Sequence, residues 1–290
     1  MEVAKPRFVG RVGLAVLAAL ALLAGVARAR EFSLSIAGLA VTEWEGDAPA
    51  AGALPVVVFS HGFHGCAIQS RFLMRAFAEA GYLVFAPNHR DAVCGGGAGS
   101  LFDRPQVPFL HPEEWTEASY RDRAEDIEKL VEALHNDSAR HARIDWGRLA
   151  LAGHSLGGYT VLGLTGAWPS WRLPGVRAVL ALSPYSQPFL RAGTLHGLAA
   201  PVMYQGGTLD FGITPALDRV GGAFAVSPAP KYFVELRGAT HFAWTDLGRR
   251  NRDEIVAYSL AFLDHALNGA PAGILHSAGP GIADLRFVER

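Results

Sequence analysis

The sequence of 290 residues is poor in cysteine and in charge, and both shortages exclude classes of protein. Its 2 cysteines cannot build a disulfide-rich scaffold, and they do not form the closely spaced pairs of a structural zinc site. Only 18% of the residues are charged and the net charge is -1, so we expect no nucleic-acid partner. The 50% hydrophobic residues exclude a mainly disordered chain.

Residues 1–29 have the layout of a secretory signal peptide. A basic start precedes an uncharged apolar run, which ends in Ala27-Arg28-Ala29, a small-x-small cleavage pattern. A membrane anchor is the alternative, but the run is shorter than the about 20 apolar residues of a spanning helix. We therefore expect cleavage near Ala29, a secreted or periplasmic protein without a stable membrane anchor, and one mature domain of residues 30–290.

Export changes the interpretation of Cys66 and Cys94. Two free thiols in an oxidising compartment tend to pair, so the sequence predicts a Cys66–Cys94 disulfide. The alternative is two unpaired thiols, one of them buried.

The mature sequence alternates strand-like and helix-like segments. Two segments of alternating polarity, Glu31–Ile36 and Leu39–Trp44, predict an antiparallel hairpin. Apolar runs bounded by turns then predict strands at Pro55–Ser60, Tyr82–Ala86, Arg148–Ala152, Arg177–Leu182, Pro201–Gln205 and Lys231–Leu236, with the main helices at Ile68–Ala80, Glu117–Asn136, Leu156–Ala167 and Asp253–Leu267. Repeated strand-turn-helix units predict an α/β fold, with a mostly parallel central sheet and helices on both faces.

The sequence Gly153-His154-Ser155-Leu156-Gly157 matches G-x-S-x-G between a predicted strand and a predicted helix. That context is what a nucleophile elbow requires, because the strained turn raises the serine hydroxyl above the sheet. We therefore predict Ser155 as a nucleophile. The alternative is a serine that only caps the helix.

A serine hydroxyl needs an adjacent base, and in elbow folds the acid and then the histidine follow the serine along the chain. Asp210 and His241 each lie just beyond the carboxyl end of a predicted strand. We predict Asp210 as the orienting acid and His241 as the base. The alternatives are a turn-forming aspartate and a surface histidine, and we expect His154 to point away from Ser155.

The predicted strand that ends at Ser60 leads into a glycine-containing loop. The backbone N–H groups of Phe63 and Leu156 are predicted to form the oxyanion hole, and Gly62 permits the close approach. Since only backbone is used, the Phe63 side chain is free to line an acyl pocket.

These features resemble those of the α/β-hydrolases, nearest to the platelet-activating-factor acetylhydrolase and dienelactone-hydrolase-like serine esterases. The matching stretches are Phe59–Gly62, Asn88–Asp91, the helix Asp122–Leu134 and Gly153–Gly158. Dienelactone hydrolases are similar but use a cysteine nucleophile, whereas this chain has a serine. The resemblance covers most of residues 50–267, implies an α/β-hydrolase fold and matches the acid and base positions predicted above.

The surroundings of the predicted site indicate an open, apolar cleft. Only residues 183–200 separate the predicted strands on either side, which is too short for a large cap domain. We expect the insertion Asp91–Ala118 to wall one side. Residues beside the predicted triad are expected to bind substrate, with ordinary core packing as the alternative for each aromatic one: Gly62, Phe63, Phe211, Phe242 and Trp244.

Together these predictions indicate a serine esterase that forms an acyl-enzyme and cleaves small-molecule or polymeric carboxylic esters without a cofactor. Two alternatives stay open: an amidase or peptidase with the same triad, and a non-catalytic binding protein on the same fold. His61, His64 and His89 lack an accompanying pattern of carboxylates or thiolates, so we expect no metal site.

Overall fold

The structure, a computed structural model, describes residues 28–47, 52–94, 99–100 and 109–290. Its centre is a nine-stranded sheet with the strands in the order β1-β2-β4-β3-β5-β6-β7-β8-β9. The strands are β1 (Ala29–Ile36), β2 (Leu39–Gly46), β3 (Leu54–Ser60), β4 (Leu83–Pro87), β5 (Ile144–His154), β6 (Val176–Leu182), β7 (Val202–Gly207), β8 (Lys231–Leu236) and β9 (Ile282–Val288).

The sheet is parallel in its middle and antiparallel at both edges. Strands β4, β3, β5, β6, β7 and β8 run parallel, whereas β1 pairs antiparallel with β2, β2 with β4, and β9 with β8. Parallel strands need crossover connections, which place helices on the faces of the sheet. The carboxyl ends of the parallel strands therefore meet at one edge, where functional loops collect.

Helices cover both faces of this sheet. They are α1 (Arg71–Glu79), α2 (Arg121–Asn136), α3 (Ser138–His141), α4 (Leu156–Leu162), α5 (Gln187–Ala192), α6 (Thr214–Asp218), α7 (Ala223–Val226) and α8 (Arg252–Asn268). Side chains of β3 alternate between two cores: Val56 and Val58 pack with α2 and α4, whereas Val57 and Phe59 pack with α1 and α8. This arrangement confirms the predicted fold class.

Several elements differ from the prediction, two helices and one strand with a clear physical reason. The helix expected from Glu117 begins at Arg121, because Tyr120 has a left-handed φ of 58°. The helix expected to reach Ala167 ends as an α-helix at Leu162, and a π-type turn with Gly166 at φ 121° follows. Strand β9 was not predicted, since its residues alternate weakly and only its first residue is buried.

The segment between β6 and β7 is described throughout, and it contains α5 and a 3-10 turn at Leu195–Gly197 but no cap domain. None of the helices in the described ranges is long and apolar enough to cross a membrane. The predicted signal peptide lies outside the described residues except for Arg28 and Ala29.

Candidate active site

Ser155 lies on the sharp turn between β5 and α4. Its backbone has φ 55° and ψ -115°, a conformation that costs energy for a residue with a side chain. A Cβ on Gly153 would overlap the carbonyl of Gly157, and a Cβ on Gly157 would overlap the carbonyl of Ser60. The elbow is therefore packed too closely, within itself at Gly153 and against the end of β3 at Gly157, for any residue but glycine at these two positions.

The three residues predicted as a triad lie together. His241 Nε2 is 2.9 Å from Ser155 Oγ, and His241 Nδ1 is 3.3 Å from Asp210 Oδ1. Asp210 follows β7 and is only 3% exposed, whereas the His241 side chain, in the loop after β8, is 28% exposed. The geometry suits proton transfer from the serine to an imidazole that a buried carboxylate orients.

Sequence reasoning missed a fourth polar side chain in this group. Ser183 directly follows β6, and its hydroxyl hydrogen-bonds Asp210 Oδ2. The same oxygen is 2.8 Å from His241 Nδ1. The only signal in the sequence is its position at the carboxyl end of a predicted strand.

The loop after β3 places backbone beside Ser155, the predicted nucleophile. A Cβ on Gly62 would lie 3.3 Å from Ser155 Cβ, so the bare face of this glycine meets the elbow. The Gly62 N–H donates to Gln69 Oε1 at 3.1 Å. Among hydrogen bonds of the described residues none uses the Phe63 N–H, and Leu156 opens α4, where an N–H has no partner within the helix. Both predicted oxyanion donors thus remain candidates.

A directional chain of hydrogen bonds links this loop to His241, the predicted base. Gln69 Nε2 donates to His154 Nδ1 at 3.1 Å, and His154 Nε2 donates to the His241 carbonyl at 2.8 Å. Burial, with a smaller effect of His241, lowers the pKa of His154 to about 3. The ring is therefore neutral at pH 7, with one donor and one acceptor, as the chain requires.

A second buried polar network supports the loop after β3 at its beginning, next to the end of the strand. His89 Nε2 is 2.9 Å from Ser60 Oγ, and His89 Nδ1 is 2.9 Å from Asp126 Oδ2. The fully buried Arg123 donates to the carbonyl of His61, at the start of the loop. Burial, and then the charge of Arg123, hold the pKa of His89 well below its usual value. A neutral His89 is thus fixed by hydrogen bonds on both ring nitrogens.

The predicted disulfide is confirmed. Cys66 and Cys94 are bonded, with their Cα atoms 5.8 Å apart. The bridge joins the end of the loop after β3 to the beginning of the insertion. Asp91 reinforces the junction, since it accepts a hydrogen bond from Arg123 Nη1 at 3.1 Å.

The predicted wall at Asp91–Ala118 is described only in part, and Phe102 lies outside the described residues. Phe109, near its end, packs edge-on against Phe63 with ring centroids 5.7 Å apart and against Tyr185 at 4.7 Å. An aromatic cluster therefore lies beside the loop that carries the candidate oxyanion donor.

The remaining predicted substrate-binding aromatics divide into two groups. Phe211 is 76% exposed and Phe242 is 55% exposed, next to Asp210 and His241 in the chain. Trp244 is fully buried, and its Nε1 donates to Gln205 Oε1 at 2.8 Å. The expectation that Trp244 lines the cleft is therefore wrong, because the indole packs in the core beneath the site.

Within the described ranges, one group of side chains has ligand atoms close enough to hold a metal ion: His111, Glu113 and Glu114. All three are exposed, and His111 Nδ1 already lies 3.1 Å from Glu113 Oε1. Exposed acidic groups of this kind are common without a metal.

Comparison with known proteins shows the family to which this chain belongs. The family model described as serine aminopeptidase, S33, matches residues 52–204, which is more than half of the chain. The chain belongs to this family. The match and the sheet topology together confirm the predicted membership of the α/β-hydrolases.

Curated relatives of this S33 family member include cutinases. Cutinase 2 of Thermobifida cellulosilytica is 32% identical over 125 residues, which cover 42% of this chain and 44% of the cutinase. Cutinase cut1 of Thermobifida fusca is 32% identical over 125 residues, which cover 42% of this chain and 36% of the cutinase. The chain thus spans less than half the length of these relatives.

Proposed function

We propose that this protein is a serine hydrolase that cleaves carboxylic esters through an acyl-enzyme formed on Ser155. The observation that carries the proposal is the 2.9 Å contact between Ser155 Oγ and His241 Nε2, with the buried Asp210 on the opposite side of the imidazole. A weak hydroxyl nucleophile becomes effective when a base is in this position.

In the proposed first half-reaction, Ser155 Oγ attacks the ester carbonyl carbon while His241 Nε2 takes the hydroxyl proton. The carbonyl oxygen gains negative charge, which the N–H groups of Phe63 and Leu156 stabilise. The C–O bond to the alcohol then breaks, and His241 returns the proton to the leaving oxygen.

In the second half-reaction, a water molecule attacks the acyl carbon and gives its proton to His241. The bond to Ser155 Oγ breaks, the serine recovers its proton and the carboxylic acid leaves. Asp210 stays ionised throughout and stabilises the imidazolium that forms in each half-reaction.

The surface around Ser155 supports the proposal that the substrate is an ester with an apolar, extended acyl or alcohol part. Phe211 and Phe242 expose large apolar rings beside the triad, and the connection from β6 to β7 adds no cap domain over it. Exposed apolar groups beside a site are typical of contact with an apolar ligand. The cutinases among the relatives also support ester chemistry. Both small-molecule and polymeric esters fit this proposal.

Amide or peptide hydrolysis with the same triad is the second candidate, and the description of the matching family as serine aminopeptidases favours it. Matched nitrophenyl ester and nitroanilide substrates with one acyl group discriminate between the two. Faster turnover of the anilide than of the ester would refute the esterase proposal and would show that the protein is an amidase.

The decisive experiment compares wild type with Ser155→Ala on short-chain and long-chain esters, lactones, anilides and a polyester film. We expect the variant to lose at least about four orders of magnitude in kcat/KM on every substrate that wild type cleaves. Its thermal unfolding should stay close to that of wild type. Wild-type-like hydrolysis by the variant would refute the role of Ser155.

The proposal also places the mature chain, from about residue 30, outside the cytoplasm after removal of the signal peptide. The Cys66–Cys94 disulfide supports this, because such bonds persist mainly in oxidising compartments.

A further inference from the structure

We propose that Ser183 is a positioning residue that fixes the tautomer of His241, so that Ser155, His241, Asp210 and Ser183 act as one unit. This inference rests on the proposed function, since it assumes that His241 is the base for Ser155.

Ser183 is held firmly against the nucleophile elbow. It is fully buried, it has a left-handed φ of 43°, and its N–H donates to the Gln205 carbonyl at 2.8 Å. Its neighbours bracket the nucleophile: the Ser155 N–H donates to the Leu182 carbonyl at 3.0 Å, and the Tyr185 N–H donates to the Ser155 carbonyl at 3.0 Å. The Ser183 hydroxyl is thus placed by backbone hydrogen bonds on both sides of it.

Counting protons determines the direction of each hydrogen bond. An ionised carboxylate only accepts, so the single hydroxyl proton of Ser183 goes to Asp210 Oδ2. The Ser183 oxygen can then only accept from His241, which requires the proton of the neutral imidazole to be on Nδ1. Nε2 is left with a lone pair facing Ser155 Oγ, which is the state a general base needs.

The distances make Ser183 the nearer acceptor. His241 Nδ1 lies 2.8 Å from Ser183 Oγ but 3.3 Å from Asp210 Oδ1. Because hydrogen bonds from nitrogen to oxygen are usually 2.7–3.2 Å long, the contact with Ser183 has the better length. The contact between Nδ1 and the carboxylate is long, and the Ser183 hydroxyl therefore supplies the shorter hydrogen bond to the imidazole.

Ser186 provides a matched control in the same loop. It is a serine at 1% exposure, yet its hydroxyl has no hydrogen-bond partner among the described residues. Ser186→Ala removes the same atom from an equally buried position without touching the triad. A difference between the two alanine variants therefore reports the hydrogen bonds of Ser183 and not the loss of a buried oxygen.

The test measures wild type, Ser183→Ala, Ser186→Ala, Asp210→Ala and the Ser183→Ala/Asp210→Ala double variant. Two readouts are used: kcat and KM on a short-chain nitrophenyl ester, and the rate at which a fluorophosphonate labels Ser155. For Ser183→Ala we expect kcat and the labelling rate to fall at least about tenfold, with KM changed less than about twofold. Ser186→Ala should match wild type.

In the Asp210→Ala background, the further loss from Ser183→Ala should shrink to less than about twofold, because the hydroxyl acts together with the carboxylate. Equal losses in both backgrounds, or a Ser183→Ala variant that matches wild type, would overturn the inference. If wild type is labelled but cleaves no ester, the proposed function fails while the labelling rates still test Ser183. If wild type is not labelled at all, both fail.

Discussion

Replacing His154 with glutamine should make the folded protein less sensitive to acid. His154 is 3% exposed, donates to the His241 carbonyl and accepts from Gln69. A second proton on the ring would disrupt the hydrogen bond from Gln69 and would place a charge in a buried position. The unfolded chain, in contrast, binds a proton at this histidine below about pH 6.5. Protons therefore favour the unfolded state as the pH falls, and stability decreases from about pH 6.5 toward the lowered pKa of His154, about 3.

The size of this effect follows from the two pKa values. With 6.5 in the unfolded chain and about 3 in the folded protein, His154 costs about 2 kcal/mol of unfolding free energy at pH 5 and about 5 kcal/mol below pH 3. Glutamine cannot titrate, yet its amide nitrogen can donate and its amide oxygen can accept, as the two nitrogens of the neutral ring do. His61 and His89 also have strongly lowered pKa values, but they are present in both proteins and cancel in the comparison.

Urea unfolding at pH 7.5 and at pH 5 measures the effect. Wild type should lose about 2 kcal/mol more than His154→Gln between these pH values. His141→Gln makes the same substitution at an exposed position on α3, outside this chain of hydrogen bonds, and serves as the control. Equal losses in wild type and His154→Gln would show that the buried ring is protonated in the folded state, and the directional chain would then be wrong.

Two further predictions concern the scaffold of the site. Removing the disulfide with Cys66→Ser/Cys94→Ser opens a loop of sequence separation 28 and should cost about 3.5 kcal/mol in urea unfolding, so a loss under about 1 kcal/mol would contradict the constraint. Gly157→Ala should abolish ester hydrolysis and lower the melting temperature, because its Cβ overlaps the Ser60 carbonyl, while Gly212→Ala, which meets no atom within 4 Å, should leave both unchanged. An active, stable Gly157→Ala enzyme would refute the close packing of the elbow against the end of β3.

Much of the fold could be predicted because its signals are local. The buried parallel strands are continuous apolar runs, and β8 was predicted with the bounds Lys231–Leu236 that the structure has. The positions of Ser155, Asp210 and His241 also follow from local patterns, since each lies at the carboxyl end of a strand in the chain order of elbow folds. Their roles in catalysis stay predictions until the variants are assayed.

The features that sequence reasoning missed depend on contacts between distant segments. Strand β9 carries no apolar run, because it lies at the edge of the sheet and only its first residue is buried. Its position is set by pairing with β8. Trp244 is apolar and next to the site in the chain, but only the tertiary structure shows that its indole donates to Gln205 in the core. Ser183 and Gln69 are ordinary polar residues in the sequence, and their partners are far away in it.

These distant contacts fix the position of His241, the proposed base. Ser183 and Asp210 hold the imidazole of His241 at Nδ1, while His154 holds its backbone carbonyl. The second contact continues through Gln69 to Gly62, so His241 and the loop of the candidate oxyanion donor are fixed relative to each other. If these groups act as proposed, no lid has to move to assemble them, because they are already oriented before substrate arrives. Because the described segment between β6 and β7 adds no cap domain, this arrangement supports the proposal that the substrate can be a polymeric ester extending beyond the site.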